Sequence, residues 1–476
     1  MSVRTFGMEA PALPAPVPRT VSTRRASALQ LQRDVFGAAI WVCLLVPVLI
    51  WESNGGIGQL FGGPADALTS VGRLTGLLAA ALMLVQILLA ARLPWAEQGF
   101  GLDSLITFHG AVGGSAFGLM TLHIVLITMG YAASARLGVP AQFWSLVRTY
   151  PGMLLAACAT ALIVVVVLTS RSPLRRLMRY ETWHLVHLYA YLATVLALPH
   201  ELWTGADFTS SAWARAFWWG LYGVTVGSVL GWRFAVPLYR TWRYRLVVTA
   251  VAPEGQGVVS VYVQGRRLQE LPVQAGQFFI WRFVGAPGWT RGHPYSLSAA
   301  PRGNRLRITV KALGDGSSAL ASLRPGRRVI VEGPYGRLHA GVRTRRLVTL
   351  VANGIGITPM RALMEALPYA PGELTLIYRV ADVESAIFRE ELELLAAERG
   401  ADVVYVPGPR TTTRESWLPA RASAVSDADA LLAIAPHVAD SDVYICGAPG
   451  WMQLFREAAL EAGVPAANVH FERFAW

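Results

Sequence analysis

Long apolar runs fill the first half of the chain, and short alternating runs fill the second. Six stretches contain few charged residues: 36–51, 70–93, 104–130, 151–170, 182–200 and 212–237. Most of them approach or exceed the ~20 residues that a helix needs to cross a hydrocarbon core about 30 Å thick. From residue 240, strand-like alternation, Gly/Pro turns and charged loops take over. The pattern predicts a six-span helical membrane domain (35–239) fused to a soluble part long enough for two domains.

The first apolar stretch, FGAAIWVCLLVPVLIW, is short enough to be compared with a signal peptide. It follows a long leader and has no small-residue cleavage site, so a retained span is the better interpretation. The leader itself (1–34) is rich in Arg, Pro and Ala and has no hydrophobic periodicity. We expect it to be disordered and cytoplasmic.

The chain has 476 residues, 53% of them hydrophobic and 15% charged, with a formal net charge of +12. Basic residues concentrate before span one, in the 171–180 loop and after span six, whereas the loops 52–69 and 201–211 contain no Lys or Arg. This asymmetry predicts a multi-pass protein of the plasma membrane with the N-terminus and the C-terminal part in the cytoplasm. The positive charge is thus explained by topology, and we expect no nucleic-acid partner. Three cysteines without metal-binding spacing indicate neither a disulfide framework nor a zinc site.

Two spans contain histidines at matching separations. His109 and His123 lie fourteen residues apart in span three, and His187 and His200 lie thirteen apart in span five. At 1.5 Å per residue these separations are about 21 and 20 Å. Spans three and five cross in the same direction, so imidazoles would meet at two depths. Two stacked haems with paired histidine ligands require this arrangement, although a single intramembrane histidine also serves as an interhelical hydrogen bonder.

The inner haem ligand of span five can be His184 or His187, because the two lie one turn apart. At ~100° per residue, thirteen steps place two side chains on different faces, and Pro199 is the residue that can re-aim His200. His187 is favoured because its separation from His200 matches the separation of the two histidines in span three. Room for a flat porphyrin along span three is expected at Gly110, Gly113, Gly114 and Gly118.

Residues 240–341 are predicted to form a small antiparallel β-barrel domain that binds a flavin. A flavin needs an aromatic ring against the isoalloxazine and hydroxyl or backbone N–H groups for the ring and phosphates. Tyr295 and Ser296 in HPYSLS suit the first need, and the VKALGDGSS stretch suits the second. The candidate flavin-binding residues are His293, Pro294, Tyr295, Ser296, Leu297, Ser298, Lys311, Gly314, Ser317 and Ser318.

Residues 342–476 alternate strands and helices, as in a nucleotide-binding α/β domain of the Rossmann type. RRLVTLVANGIGITP reads as strand, Gly-rich turn and helix start, where Gly354 and Gly356 permit close approach of a pyrophosphate. A second strand ends at Arg379, where a 2′-phosphate would be met, although a solvated strand-end charge is the alternative. A later strand closes on CGAPG, beginning at Cys446.

Order and content together resemble the ferric reductase/NADPH oxidase superfamily, in which a six-span haem protein is fused to a ferredoxin-reductase-like module. The resemblance covers about 36–476 and depends on the four histidines, HPYSLS, GIGITP, CGAPG and the terminal HFERFAW. It implies four haem ligands (His109, His123, His187, His200) and flavin contacts at Tyr295 and Ser296. It also implies nicotinamide-cofactor contacts at Gly354, Gly356, Thr358, Pro359, Arg379, Cys446 and Gly447. Phe474 resembles the C-terminal aromatic that covers the flavin, with Trp476 as its rival.

The resemblance further implies an integral membrane oxidoreductase with FAD, NADPH and two b-type haems. Electrons would pass from cytoplasmic NADPH to an acceptor outside, with O2 reduced to superoxide as the first choice. A ferric-chelate reductase and an electron donor to a periplasmic protein are the alternatives. Arg73 in span two is a candidate catalytic residue, together with Cys446 and Phe474, although a snorkelling role suits Arg73 equally. The oligomeric state stays open, a monomer included.

Overall fold

The computed structural model describes residues 3–5, 23–255, 257–411, 414–422 and 424–472. The chain divides into two compact units. One comprises residues 33–93 and 104–233, and the other comprises residues 1–32, 94–103 and 234–476. The first is helical, and the second contains the strands.

Among the described residues, six helices are long and apolar enough to cross a membrane, as the sequence predicts. They are α1 (Thr23–Ser53), α2 (Pro64–Ala90), α3 (Leu102–Ala135), α4 (Met153–Ser170), α5 (Tyr180–Trp203) and α6 (Ala212–Ser228), the last continuing through a π-helical turn (Val229–Ala235) into α7 (Val236–Tyr244). Shorter helices occupy Gly56–Leu60, Pro94–Phe100, Val139–Thr149, Ser172–Leu177, Ala206–Thr209 and Asp315–Ser318. Mean hydropathy reaches 2.5 over α4. A helix pairs its backbone N–H and C=O groups internally, which a membrane span requires.

The flavin-domain segment is built from two antiparallel sheets in its described residues. The strands are β2 (Val247–Gly255), β3 (Val258–Gln264), β4 (Phe278–Phe283), β5 (His293–Ser296), β6 (Arg305–Lys311) and β7 (Val329–Tyr335), with β1 (Val3–Thr5) preceding them in the chain. One sheet has the order β2–β3–β6 and the other β5–β4–β7. Isolated bridges at Val247–Arg328 and Leu297–Ile308 join the sheets at their edges. The predicted barrel is thus two sheets linked by single bridges around a core that includes Phe279 and Trp281.

The nucleotide-domain segment is a parallel sheet between two layers of helices. Its strands are β8 (Leu347–Asn353), β9 (Leu374–Val380), β10 (Asp402–Pro407), β11 (Ser441–Cys446) and β12 (Val469–Phe471), and its helices are α8 (Ile357–Ala366), α9 (Arg389–Arg399), α10 (Asp427–Ile434) and α11 (Pro449–Glu461). The order β1–β10–β9–β8–β11–β12 reverses direction between β8 and β11. In sheets of this kind ligands bind at the carboxyl ends of the strands where the order reverses.

The predicted disordered leader differs from the structure at both of its described parts. Residues 3–5 form β1, which pairs in parallel with β10, and α1 begins at Thr23 rather than near residue 36. A strand can form there because β10 would otherwise be an edge with unpaired backbone groups. Single-turn 3-10 segments complete the fold at Leu268–Glu270, Ala319–Ser322, Ala340–Val342, Gly354–Gly356, Ala420–Ala422, Val438–Asp440 and Ala466–Asn468.

A buried carboxylate, Asp442, ties the β8 and β12 ends of the sheet to β11. It accepts hydrogen bonds from the backbone N–H of Thr344 (2.6 Å), from Asn468 Nδ2 (3.0 Å) and from His470 Nε2 (2.9 Å). Burial alone would raise the pKa of Asp442, but the bonds from His470, Asn468 and the Arg345 N–H hold that pKa below its usual value. The stabilisation is therefore present at neutral pH and is lost as the pH falls below the usual aspartate range.

Asp442→Asn should lower the free energy of unfolding of the C-terminal unit by about 2–4 kcal/mol, because the buried donors lose their charged acceptor. Thermal unfolding of the full-length protein in detergent would measure the change as a lower Tm. The matched control is Asp440→Asn, since Asp440 is exposed two residues earlier. Equal Tm shifts in the two variants would contradict the prediction.

Candidate functional site

α3 and α5 bring their histidines together in two pairs. The ring centroids of His109 and His187 lie 5.8 Å apart, and those of His123 and His200 lie 6.3 Å apart. Pro199 lies inside α5 without ending it. Two metal–nitrogen bonds of about 2 Å plus the half-widths of two imidazole rings span about 6 Å. Each pair therefore has the separation expected of two rings on opposite sides of one metal ion.

Each of these imidazoles is held through Nδ1. The partners are the Gln86 carbonyl for His109 (2.8 Å), the Gly72 carbonyl for His123 (2.7 Å), Ser170 Oγ for His187 (3.2 Å) and Thr204 Oγ1 for His200 (2.6 Å). A carbonyl only accepts, so Nδ1 bears the proton in the first two. The Ser170 and Thr204 hydroxyls donate to the carbonyls of Val166 (2.7 Å) and His200 (2.8 Å), which leaves their oxygens to accept as well. All four rings thus keep a bare Nε2, as metal-bound histidines with an outer hydrogen bond do.

The glycines of α3 leave space beside the pairs. A Cβ added at Gly110, Gly114 or Gly118 would meet no atom within 4 Å. Gly113 differs, because a Cβ there would lie 2.4 Å from Gln86 Oε1. The paired imidazoles and the open glycine face fit the haem groups that the sequence predicts. Sequence reasoning missed the Nδ1 partners Ser170 and Thr204, whose residue types carry no distinguishing signal at the end of a helix.

His184 and Arg73 are placed differently from the paired histidines. The His184 ring stacks on Tyr180 with centroids 5.8 Å apart and planes 6° apart. Arg73 forms a bidentate ion pair with Asp207, at 2.9 and 2.6 Å, and also donates to Gln59 Oε1 at 2.8 Å. Its charge is therefore neutralised within the bundle. This geometry opposes a catalytic role in which Arg73 offers a free positive charge.

The HPYS strand presents one aromatic ring at the sheet surface. Tyr295 and His293 stack with centroids 6.0 Å apart, and the Trp281 indole N–H donates to the Tyr295 carbonyl at 2.9 Å. Burial raises the pKa of the Tyr295 hydroxyl. Tyr295 is thus a neutral, fixed ring of the kind that a flavin needs against it. Pro294 and Ser296 occupy the same short strand, β5.

Three other flavin candidates have structural tasks in the chain, namely Leu297, Ser298 and Ser317. Leu297 and Ser298 are fully buried, and Ser298 Oγ accepts from Arg307 Nε at 3.1 Å. Ser317 Oγ accepts from the backbone N–H groups of Leu313 (2.9 Å) and Gly314 (3.0 Å), which caps the short helix holding Ser318. Lys311 is exposed at the end of β6. Leu297 and Ser298 therefore belong to the domain core, where their side chains are out of reach of a cofactor.

The predicted nucleotide-binding turns meet at the reversal point of the parallel sheet. Ala352 of β8 and Cys446 of β11 are register partners, so the Gly354–Gly356 turn and the Cys446–Gly447 turn lie side by side. A Cβ at Gly356 would lie 2.2 Å from the Cys446 carbonyl, so only glycine fits there. The Tyr378 hydroxyl donates to the Gly354 carbonyl at 3.2 Å and steadies the turn.

Thr358 and Pro359 open α8 just beyond this turn, where both are buried. The Thr358 hydroxyl donates to the Ile355 carbonyl at 3.1 Å. That bond orients the first turn of α8, and a helix N-terminus is suited to a pyrophosphate.

Behind these turns lie a buried thiol and a buried carboxyl. Burial, and secondarily the neighbouring Glu472, raises the pKa of the Cys446 thiol, which keeps it neutral. Burial raises the pKa of Glu472 to about 8. Glu472 Oε1 accepts from the backbone N–H groups of Arg337 and Leu338, whereas Oε2 has no hydrogen-bond partner among the residues that the structure describes. Sequence reasoning missed Glu472, although it stands in the quoted HFERFAW.

Two predicted cofactor contacts, at Arg379 and Phe474, are not supported by the described part of the structure. Arg379 is buried, and its guanidinium donates to the carbonyls of Val380, Val406 (3.1 Å) and Pro409 (3.1 Å). Three of its N–H donors are used by the chain and the side chain is buried, so the geometry does not favour a contact between Arg379 and a 2′-phosphate. Phe474 and Trp476 lie outside the described residues.

An ion cluster joins the flavin-domain and nucleotide-domain segments. Arg307 of β6 forms a bidentate pair with Glu391 of α9, at 2.8 and 2.9 Å, and stacks on Phe388 with its guanidinium 4.7 Å from the ring centroid. Arg361 Nε adds a bond to Glu391 at 2.7 Å. These bonds tie β6 of the flavin-domain segment to α9 and α8 of the nucleotide-domain segment.

Arg307→Ala should destabilise the C-terminal unit by about 1–3 kcal/mol, since it leaves Glu391 with one fewer cation and removes a stacked guanidinium. The exposed Arg305 on the same strand provides the control, Arg305→Ala. A double-mutant cycle with Glu391→Ala, read by Tm, would measure the coupling. Additive effects of the two substitutions on Tm would show that Arg307 and Glu391 are not energetically coupled, which would contradict the prediction.

Comparison with known proteins assigns both parts of the chain. Residues 75–198 match the ferric reductase like transmembrane component family, and residues 350–457 match the oxidoreductase NAD-binding domain family. A flavohemoprotein of Xylella fastidiosa is 26% identical over 325 residues, covering 64% of this chain and 78% of its own. Ferredoxin–NADP reductase B of Sorangium cellulosum is 32% identical over 206 residues, covering 40% of this chain and 80% of its own.

Among solved structures, the cytochrome b5 reductase domain of Ulva prolifera nitrate reductase is similar to 49% of this chain and 97% of its own, with 18% identity and a TM-score of 0.40. The family matches place a transmembrane component before an oxidoreductase NAD-binding domain, and the Sorangium cellulosum relative supports an FAD- and NAD(P)-binding module in that part. The protein is thus a multi-pass, electron-transferring oxidoreductase. Both matches are consistent with the ferric reductase/NADPH oxidase superfamily that the sequence resembles.

Proposed function

We propose that this protein moves electrons from cytoplasmic NADPH across the membrane to O2 and so produces superoxide. The observation that supports it most is the double pair of imidazoles in α3 and α5, each with Nδ1 hydrogen-bonded and Nε2 bare. FAD and two b-type haems, when bound, would supply the conversion of a two-electron hydride donor into single-electron transfers.

The residues of the chain then hold and align these groups. His109 and His187 would ligate one haem, and His123 and His200 the other. Tyr295 would lie against the flavin ring, while the turns at Gly354 and Cys446 would receive the nicotinamide dinucleotide. The neutral Cys446 thiol can donate a hydrogen bond there but is no nucleophile.

The choice of O2 over a ferric chelate depends on Arg73. Gly72, its neighbour in α2, holds the ring of His123 through its carbonyl. Ferric chelates are commonly anionic and would favour a positive surface next to that pair. The Arg73–Asp207 ion pair leaves this position neutral, which suits a small uncharged acceptor better.

The test is NADPH oxidation by the purified full-length protein in air, with cytochrome c as the detector. Cytochrome c reduction that superoxide dismutase abolishes supports the proposal. Reduction that requires a ferric chelate and consumes no oxygen would instead support a metalloreductase. The ratio of NADPH to NADH oxidation rates, measured in wild type and in Arg379→Ala, tests whether Arg379 contacts the 2′-phosphate. If that contact lies elsewhere, Arg379→Ala keeps the preference for NADPH.

A further inference from the structure

The hydroxyl that holds His187 is shared with a tryptophan. Ser170 Oγ donates its proton to the Val166 carbonyl at 2.7 Å. Its oxygen is approached by two donors, His187 Nδ1 at 3.2 Å and the Trp183 indole N–H at 3.2 Å. The corresponding hydroxyl at the other pair, Thr204 Oγ1, lies nearer its histidine, at 2.6 Å. The two α5 imidazoles are therefore held by unequal hydrogen bonds.

Trp183 is itself fixed by its neighbours. Its ring lies 5.1 Å from the His187 ring, with an angle of 36° between the planes. The Arg175 guanidinium lies 4.5 Å from the Trp183 ring centroid. A cation over the ring withdraws electron density from the indole, which makes its N–H a better donor toward Ser170.

Competition at Ser170 has a predictable consequence for a metal on His187 Nε2. A strong acceptor at Nδ1–H gives the imidazole more anionic character and makes it a stronger ligand to the oxidised metal. Trp183 makes Ser170 Oγ a weaker acceptor for His187, because the indole N–H donates to the same oxygen. The ligand is thereby a poorer electron donor, and the reduction potential of that centre rises.

We propose that Trp183 is a positioning residue that, acting through Ser170, raises the reduction potential of the haem held by His109 and His187. The proposal rests on the haem ligation given under the proposed function. It concerns one of the two centres and leaves the other untouched, since Thr204 has no part in the Ser170 network.

The test is a spectroelectrochemical redox titration of the haem absorbance in the purified full-length protein, fitted with two components. Trp183→Phe keeps the ring and removes the N–H, so one component should move to lower potential while the other stays in place. Ser170→Ala removes the acceptor, so the same component should move to higher potential. Opposite shifts distinguish potential tuning from a general loosening of the helices, which would move both variants in one direction.

Two further variants keep the outcome decisive. Arg175→Gln lies outside the histidine network and should reproduce the Trp183→Phe shift at smaller size. Trp203→Phe, at an exposed tryptophan in the last turn of α5, is the matched control and should shift neither component. Unchanged potentials in Trp183→Phe, or shifts of the same sign in Trp183→Phe and Ser170→Ala, overturn the proposal. Wild-type protein without haem absorbance would instead overturn the proposed function, which is a distinct result.

Discussion

His187→Leu should remove one of the two haems from the purified protein, whereas His184→Leu should leave both in place. The two residues lie one turn apart in α5, so the substitutions disturb the helix to a similar extent. His187 faces a histidine of α3, with its ring centroid 5.8 Å from that of His109. The His184 ring instead stacks on Tyr180. His187→Leu would leave His109 as the one histidine of that pair able to hold the haem.

The haem-to-protein ratio, measured by the pyridine haemochrome method, distinguishes the variants. We expect about half the wild-type ratio for His187→Leu and the full ratio for His184→Leu, with cytochrome c reduction from NADPH at background only in the former. The low-spin spectrum of the remaining haem shows that the bundle is still folded. A full ratio in His187→Leu together with a halved ratio in His184→Leu would reverse the ligand assignment.

Depth along the helices could be predicted from the sequence because rise per residue is nearly constant. That was enough to pair His109 with His187 and His123 with His200, and the structure brings both pairs together. Rotation about the helix axis could not be predicted as well. Thirteen steps put His187 and His200 on different faces of an ideal helix, and the way α5 accommodates Pro199 depends on its packing against neighbouring helices.

The glycine turns were also predictable, since a reversal point of a parallel sheet requires close backbone approach, as at Gly356. The partners of charged side chains were not. The sequence places Arg379 at a strand end, but in the structure Val406 of β10 and Pro409 of the following loop present carbonyls to it. Arg73 meets Asp207 from a segment 134 residues later in the chain. Pairings over such separations depend on the tertiary fold, which single-sequence patterns do not encode.

Glu472→Gln should make the C-terminal unit more stable than wild type at neutral and alkaline pH, and equally stable near pH 4. Burial raises the pKa of Glu472 to about 8 from its ordinary value of 4.5. The neighbouring Asp103 adds to the rise, while the N–H groups of Arg337 and Leu338 oppose it. Folding therefore favours the protonated carboxyl, and the uncharged form is the one that fits the site.

The sign follows from proton linkage. Below the unfolded-state pKa the carboxyl is protonated in both states, so ionisation of Glu472 does not change the free energy of unfolding. Between the two pKa values the unfolded chain releases a proton that the folded chain retains, and stability falls by about 1.4 kcal/mol per pH unit. Above the folded-state pKa both forms are ionised and the loss levels off. Glutamine keeps the shape and has no proton to release, so the difference between the variants should grow through this window and then stay constant.

The measurement is Tm of the full-length protein in detergent across pH 4 to 9, taken as the difference between Glu472→Gln and wild type so that other titrating groups cancel. Glu461→Gln, at an exposed position ending α11, is the control and should give a flat difference. In NADPH oxidation, the alkaline limb of the wild-type pH profile should flatten in Glu472→Gln, because the charge that develops beside the Cys446 thiol near pH 8 is absent. A Tm difference that does not change with pH would show that Glu472 is ionised in the folded protein, and its unpaired Oε2 would then require a cation from outside the described residues.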